Sequence, residues 1–179
     1  MGIYIFGASG SGTTTLGREI SNRLNYSHFD SDDYFWLPSD PPYQNIRPRA
    51  ERQRLLRNDI KKADNWVISG CFSGWGDIFI PFLELVIYLW VPTEIRIKRL
   101  KERERKEFGE EALNPGGKMY ENHKGFLEWA SKYDTGGFDM RSKITHELWM
   151  SKIDCSILRI EGNVPLSTSI SMVLERLGK

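Results

Sequence analysis

Cysteine is scarce in this chain. Cys71 and Cys155 are the only two, far apart and outside any metal-ligand spacing. That argues against a zinc site and against a disulfide-stapled secreted domain, and fits two reduced thiols in a cytoplasmic protein. Long apolar runs are missing too. The longest such stretch, Ile78 to Val91, is interrupted by Pro81 and Glu84 and is too short to cross a bilayer. No signal peptide is expected ahead of the first strand-like run, and Phe6 stands where myristoylation after Met1-Gly2 would need a hydroxyl residue. Excess charge is absent: the net value is +1, so neither a nucleic acid nor a membrane surface is called for as a partner. Histidine is rare. His28 reads as a packed strand residue, His123 as a helix surface residue, and His146-Glu147 lacks the second histidine of a zinc-protease helix. There are no internal repeats and no low-complexity tracts.

What remains is an ordinary globular balance of 40% hydrophobic and 27% charged residues over 179 positions, enough for one α/β domain with a real core. Strand-like apolar runs at Ile3 to Phe6, Ser27 to Phe29, Trp66 to Ser69, Leu85 to Val91 and Ser156 to Ile160 alternate with helical patterns. The helices are Thr13 to Leu24, Arg49 to Ala63, Thr93 to Lys106 and Leu166 to Leu177. Short continuous apolar runs alternating with helices predict a three-layer α/β/α fold around a five-stranded, mostly parallel sheet. Residues 108–141 break the alternation. They hold Asn114-Pro115-Gly116-Gly117 and Thr135-Gly136-Gly137 on either side of a helix-like stretch from Glu121 to Tyr133, a pattern shared by a movable flap and a plain surface insertion.

The segment Gly7-Ala8-Ser9-Gly10-Ser11-Gly12-Thr13-Thr14 follows a strand and opens a helix, the context a phosphate-binding loop needs. Gly7, Gly10 and Gly12 let the backbone approach an anion, and the amides of Ser9 to Thr15 at a helix start point toward it. Thr14 takes the hydroxyl position that serves Mg²⁺, with Thr15 completing the hydroxyl run. Thr13 stands where the pattern G-x-x-x-x-G-K-[ST] has lysine. A hydroxyl gives one neutral hydrogen bond where the ammonium gives a charge-assisted one of roughly twice the strength. Without a ligand, the same segment would be a Gly-rich strand-to-helix turn.

His28-Phe29-Asp30-Ser31-Asp32-Asp33 closes the second strand. Beside a phosphate loop, one carboxylate there suits Mg²⁺ and another the acceptor oxygen. Asp30 is assigned to the metal and Asp32 to the acceptor, with Asp33 as a further substrate candidate. A helix cap or turn would use the same residue type. Trp36 and the prolines after it offer one wall of an acceptor pocket or a rigid surface crossing. Gly70, at the end of the third strand, lies on the acceptor side.

In order along most of its length, the chain resembles the adenylate kinase-like group of P-loop nucleotide and small-molecule kinases, among them bacterial proteins described as adenylate kinase-related or topology-modulation-like. Gly7 to Thr14 carries the resemblance first. Phe29-Asp30-Ser31-Asp32 is similar to the Asp-Ser-Asp segment of shikimate kinases, in which the first Asp serves Mg²⁺ and the second the acceptor. Trp66-Val67-Ile68-Ser69-Gly70 is similar to the third strand of the topology-modulation-like group. Val91-Pro92-Thr93 to Arg103 resembles the helix leading to the adenylate kinase lid. By that resemblance Arg99 packs against the donor base, Arg103 reaches the phosphates, and Arg141 is a returning lid arginine. Arg96, Lys98, Lys101 and Lys106 are expected on a solvated face, with Glu94–Lys98 and Glu102–Lys106 spaced to pair. Glu161 to Pro165 would lie near the adenine.

The segment also departs from the group. Thr13 replaces lysine, Ser69 replaces a strand-end Asp, and Gly70-Cys71-Phe72-Ser73 lacks the arginine that holds an acceptor phosphate, leaving Arg47, Arg49 or Arg52 to substitute. The resemblance implies a cytoplasmic, ATP- and Mg²⁺-dependent kinase, monomeric or homodimeric, with a nucleoside monophosphate or nucleoside as acceptor. A non-catalytic ATP- or GTP-binding protein with a degenerate loop is the alternative, motivated by Thr13.

Overall fold

Residues 1–179 are described by a computed structural model. The first strand, β1 (Gly2–Gly7), is buried at all six positions. A strand buried on both faces must have strands beside it and helices over both its faces. From β1 the chain enters α1 (Thr13–Leu24), β2 (Ser27–Asp30) and the short α2 (Ser31–Phe35). An antiparallel ribbon of β3 (Trp36–Leu37) and β4 (Asn45–Ile46) follows, then α3 (Arg49–Ile60) and β5 (Trp66–Ser69). A 3₁₀ turn at Asp77–Phe82 precedes β6 (Leu85–Trp90) and α4 (Thr93–Phe108). Next come α5 (Glu110–Leu113), α6 (Tyr120–Ser131), a 3₁₀ turn at Lys132–Asp134 and α7 (Lys143–Met150). The chain finishes with β7 (Ser156–Glu161) and α8 (Leu166–Arg176).

The main sheet has the order β2-β5-β1-β6-β7, and every pairing in it is parallel. Alternation along β1 divides the core in two. Ile3 and Ile5 face Leu16, Ile20, Ile170 and Val173 of α1 and α8. Tyr4 and Phe6 face Leu56 of α3 and Trp149 and Met150 of α7. Each large apolar side chain so enclosed contributes about 1.5–3 kcal/mol relative to exposure. The aromatic half is specific in geometry: Tyr4 stacks on Phe72 with centroids 3.8 Å apart, and the Phe72 amide donates to the Tyr4 hydroxyl oxygen at 2.9 Å.

Because β1 lies between β5 on one side and β6 on the other, the strand order reverses at its carboxyl end. A parallel sheet opens a crevice at such a point. Two flanking pieces overhang it. One is the ribbon with its Pro-rich tip. The other is the insertion carrying α5 and α6, which packs on α4 through a hydrogen bond between Glu104 and His123 and through Arg103, 5.9 Å from the Phe126 ring centroid. The ribbon tip reaches both the insertion and the end of α4, since Lys118 donates to Asp40 at 2.5 Å and Tyr43 to Glu107 at 3.4 Å.

Two expectations for α4 fail. Neither Glu94–Lys98 nor Glu102–Lys106 forms an ion pair, and Arg96, expected in solvent, is fully buried. The i, i+4 spacing was right, but the tertiary neighbours decide which face is solvated. Here the face bearing Arg96 turns toward the phosphate loop and the root of the insertion.

Candidate active site

The phosphate loop is built by conformation rather than by side chains. Gly10 (φ +81°) and Gly12 (φ +96°) occupy the left-handed region. A Cβ on Gly10 would lie 2.7 Å from the Arg96 carbonyl oxygen, whereas one on Gly12 would meet nothing. Gly10 is therefore required for space and conformation, and Gly12 for conformation alone. Gly12 caps α1 without a side chain, and only the Ser11 amide within the loop is used internally, donating to Ala8 O at 3.1 Å. The amides of Gly10, Gly12, Thr13, Thr14 and Thr15 donate to no backbone carbonyl. Such a concave set of unsatisfied donors at a helix start is suited to an anion. Ser11 Oγ is buried without a partner, Ser9 rims the loop, and Thr13 is half-buried with no positive charge at its position.

Thr14 Oγ1 donates to Asp30 Oδ2 at 2.9 Å, so the loop and the end of β2 meet side chain to side chain. The other Asp30 oxygen, Oδ1, accepts from the Asp32 amide at 3.1 Å and caps α2. Asp30 thus fills the cap role and the loop-facing role at once. Thr14 and Asp30 supply hard oxygens, which fit Mg²⁺, an ion that keeps several waters and needs only one or two protein oxygens besides phosphate.

Asp32 is exposed at the mouth of the crevice. The surrounding walls nonetheless strip water from its carboxyl and push its pKa up, and the Asp30 carboxylate adds to this. Arg141 and Arg103 pull it back down. The Asp32 carboxyl therefore sits in the positive field of both arginines. Asp33 does not: it is raised by desolvation and Asp30, and its charged neighbours are Arg18 and His28 on the α1 side. His28, partly buried and hydrogen-bonded to Ser69 Oγ at 3.0 Å, is lowered by desolvation.

Just past β5, Gly70 adopts φ +98°, and a Cβ there would fall 2.1 Å from Ser31 Oγ. That close approach lets Ser31 Oγ accept the Cys71 amide at 2.8 Å, fixing the turn after β5. Trp36 packs edge-on to Tyr43 at 5.9 Å, giving the ribbon an aromatic face. Arg47 is spent on the backbone, donating to Tyr34 O and Trp36 O at 2.9 and 3.1 Å. Arg52 lies 4.5 Å from the Phe35 ring centroid and 5.5 Å from that of Trp75, and its Nε is buried without an acceptor.

Arg99 Nη1 reaches Gly10 O at 3.5 Å and Nη2 reaches Asn163 Oδ1 at 2.8 Å, so this side chain joins the phosphate loop to the β7–α8 turn. Arg103 and Arg141 make no ion pair and no hydrogen bond; Arg141 is half-buried, 5.4 Å from the Trp129 ring centroid. Sequence reasoning missed Arg96. Its guanidinium donates to Val91 O, Ser9 O and Ala130 O at 2.9, 3.3 and 3.1 Å, and to Thr93 Oγ1 and Asp134 Oδ2 at 2.8 and 3.3 Å. It was not to be found from helical spacing. Nor was the buried set Cys71, His146, Tyr133 and Tyr88, whose members are distant in sequence.

A groove of about 670 Å³ also runs along the exposed face of α4 from Thr93 to Arg105, with Ile97 its one apolar residue. It has no convergent backbone donors, so the crevice at β1 is the candidate site.

Residues 3–114 match the family described as AAA domain. The chain belongs to the adenylate kinase-like P-loop group. It is 42% identical over 175 residues to "Uncharacterized protein YqaC" of Bacillus subtilis (strain 168), a match covering 98% of this chain and 96% of that one. It is 28% identical over 176 residues to a cytidylate kinase of Pyrobaculum neutrophilum, covering 92% and 89%. Among solved structures, deoxyadenosine kinase from M. mycoides with bound dATP superimposes with a TM-score of 0.61 at 18% identity over 100% of both chains. That likeness concerns the fold. In this P-loop chain the five-stranded parallel sheet with its flanking helices is thus shared architecture. No helix in it is long and apolar enough to cross a membrane.

Proposed function

We propose that the chain is an ATP- and Mg²⁺-dependent phosphotransferase acting on a small molecule, with a nucleoside monophosphate or nucleoside as the leading acceptor class. The observation that carries this is the 2.9 Å hydrogen bond between Thr14 and Asp30, set beside five amides with no backbone acceptor and near a carboxylate, Asp32, in the positive field of two arginines. A bare Gly-rich turn has no need of that combination.

In this proposal the amides of Gly10 to Thr15 cradle the β- and γ-phosphates of ATP. Arg99 holds the loop against the β7–α8 turn, where the donor base would lie. Thr14 and Asp30 would hold Mg²⁺, which supplies charge neutralisation between the β- and γ-phosphates when bound. Asp32 orients the acceptor oxygen and, where that oxygen is a hydroxyl, takes its proton. Arg103 and Arg141 bring positive charge to the transferring group, with residues 108–141 acting as the lid that excludes water. Catalysis of this kind is positioning and electrostatics. Trp36 and Tyr43 form an aromatic wall suited to a base, and the unpartnered Arg52 Nε supports an anionic acceptor.

The test is a phosphotransfer screen over nucleosides, nucleoside monophosphates and small sugars. Transfer to at least one of them, abolished by Asp32→Asn with ATP affinity retained, is the expected result. Measurable ATP binding without turnover on any acceptor would favour a second reading, a nucleotide-binding protein without catalysis. Thr13 is the observation that supports that reading.

A further inference from the structure

Behind the acceptor wall, four side chains from distant parts of the chain form a buried polar line. Cys71, just past β5, is 7% exposed. Its Sγ lies 3.8 Å from His146 Nε2 on α7 and 3.1 Å from Ser73 Oγ. His146, 1% exposed, shares a hydrogen bond of 2.8 Å with Tyr133 OH through Nδ1, and Tyr133 shares one of 2.9 Å with Tyr88 OH. The imidazole is thus held from one nitrogen by a hydroxyl while the other faces sulfur. That is the arrangement in which a base is oriented by a third group and activates a nucleophile. The positive charge of Arg141, which has no protein hydrogen bond or ion pair of its own, acts on the same sulfur.

A plain buried cysteine is inert, and packing needs none of this. We infer that Cys71 is a reactive thiol, oriented by His146 and Arg141, that is oxidised by hydrogen peroxide to a sulfenic acid. The thiolate sulfur attacks one peroxide oxygen and the O–O bond breaks. The sulfur loses two electrons and keeps that oxygen. The second oxygen leaves as hydroxide, takes the proton held on His146 and departs as water. Peroxide is small and uncharged, which suits a sulfur with so little open surface.

The charges around the thiol support this chemistry. Burial raises the Cys71 pKa, but Arg141, His146 and Ser73 outweigh it and bring the thiol down to about 6. The other groups packed against it are Tyr4 and Tyr133, both held protonated by burial, with Asp77 near Tyr4 and Asp32 near Arg141. Cys155 is the internal control: burial raises its thiol, and no histidine or arginine faces it.

The experiment uses the full chain. It is treated with hydrogen peroxide, sulfenic acid is trapped with dimedone, and the Cys71 and Cys155 peptides are quantified by mass spectrometry from pH 5 to 9. Labelling at Cys71 at least about tenfold ahead of Cys155 at neutral pH is expected, with a midpoint well below the ordinary thiol value of about 8.5. His146→Gln and Arg141→Gln should each lower the rate at neutral pH and move the midpoint upward. Tyr133→Phe, which keeps the ring in the core, serves if His146→Gln does not fold. A wild-type midpoint at or above the ordinary thiol value overturns the inference, as does equal labelling of the two cysteines. Folded variants that leave the midpoint unmoved overturn it as well.

Discussion

Replacing Thr13 by lysine tests whether the loop grips phosphate. Position 13 is the first residue of α1, half-buried, next to an amide row with no backbone acceptor and beside Gly12, around which there is open space. A lysine there can extend over the cradle without displacing anything. An ammonium about 4 Å from one phosphate charge at an effective dielectric near 20 gains about 4 kcal/mol. Ordering the long side chain costs about 2 kcal/mol, and partial desolvation takes more. The net is about 1–2 kcal/mol, or roughly 5–30-fold in Kd for ATP. Titration calorimetry with MgATP at two salt concentrations reads it directly, and the gain should shrink as salt screens the new charge. The unfolding midpoint without nucleotide should barely move. Unchanged or weaker ATP binding by a folded Thr13→Lys variant would refute the cradle and, with it, the phosphotransfer proposal.

Three further outcomes follow from named contacts. Asp30→Ala should abolish the Mg²⁺ dependence of ATP affinity while magnesium-free binding stays near wild type; an equal loss with and without Mg²⁺ would mean that the carboxylate serves only as a helix cap. Arg96→Met leaves Asp134 without its buried partner and should lower stability by about 3–5 kcal/mol in urea unfolding, and a loss below about 1 kcal/mol would show that the network is incidental. His28 is lowered by desolvation, so its folded pKa lies below the unfolded value of about 6.5. Its contribution to stability is present above that unfolded value and is lost as pH falls through the folded one. The thermal midpoint should therefore drop on acidification, less steeply in His28→Gln; an acid limb identical in both proteins counts against this.

Local patterns were legible where local physics decides. The limits of α1 and β5 coincide with the sequence patterns, and the phosphate loop follows from three glycines in a strand-to-helix context. Arg96 was not legible, because its five acceptors come from Ser9, Val91, Thr93, Ala130 and Asp134, most of them remote in sequence. The ribbon of β3 and β4 escaped for a related reason. Two-residue strands carry no periodicity, and Asn45 and Ile46 are both exposed. The Asp-Ser-Asp resemblance ranks Asp32 ahead of Asp33, but the sequence does not show that Arg141 and Arg103 act on the one and Arg18 and His28 on the other. His146 looked like a failed metal motif, whereas its partners, Tyr133 and Cys71, come from an insertion root and a strand end that only the fold brings together.

The divided carboxylate of Asp30 has a consequence for how ligands communicate. One oxygen is tied to the donor side through Thr14, and the other holds the first turn that presents Asp32 to the acceptor. If donor and acceptor bind as proposed, a ligand that draws on the first oxygen would also bear on the second, and any coupling between the two halves of the crevice would act by the same factor in both directions. A single carboxylate would then be the shortest link between the two substrates, two bonds long from one oxygen to the other.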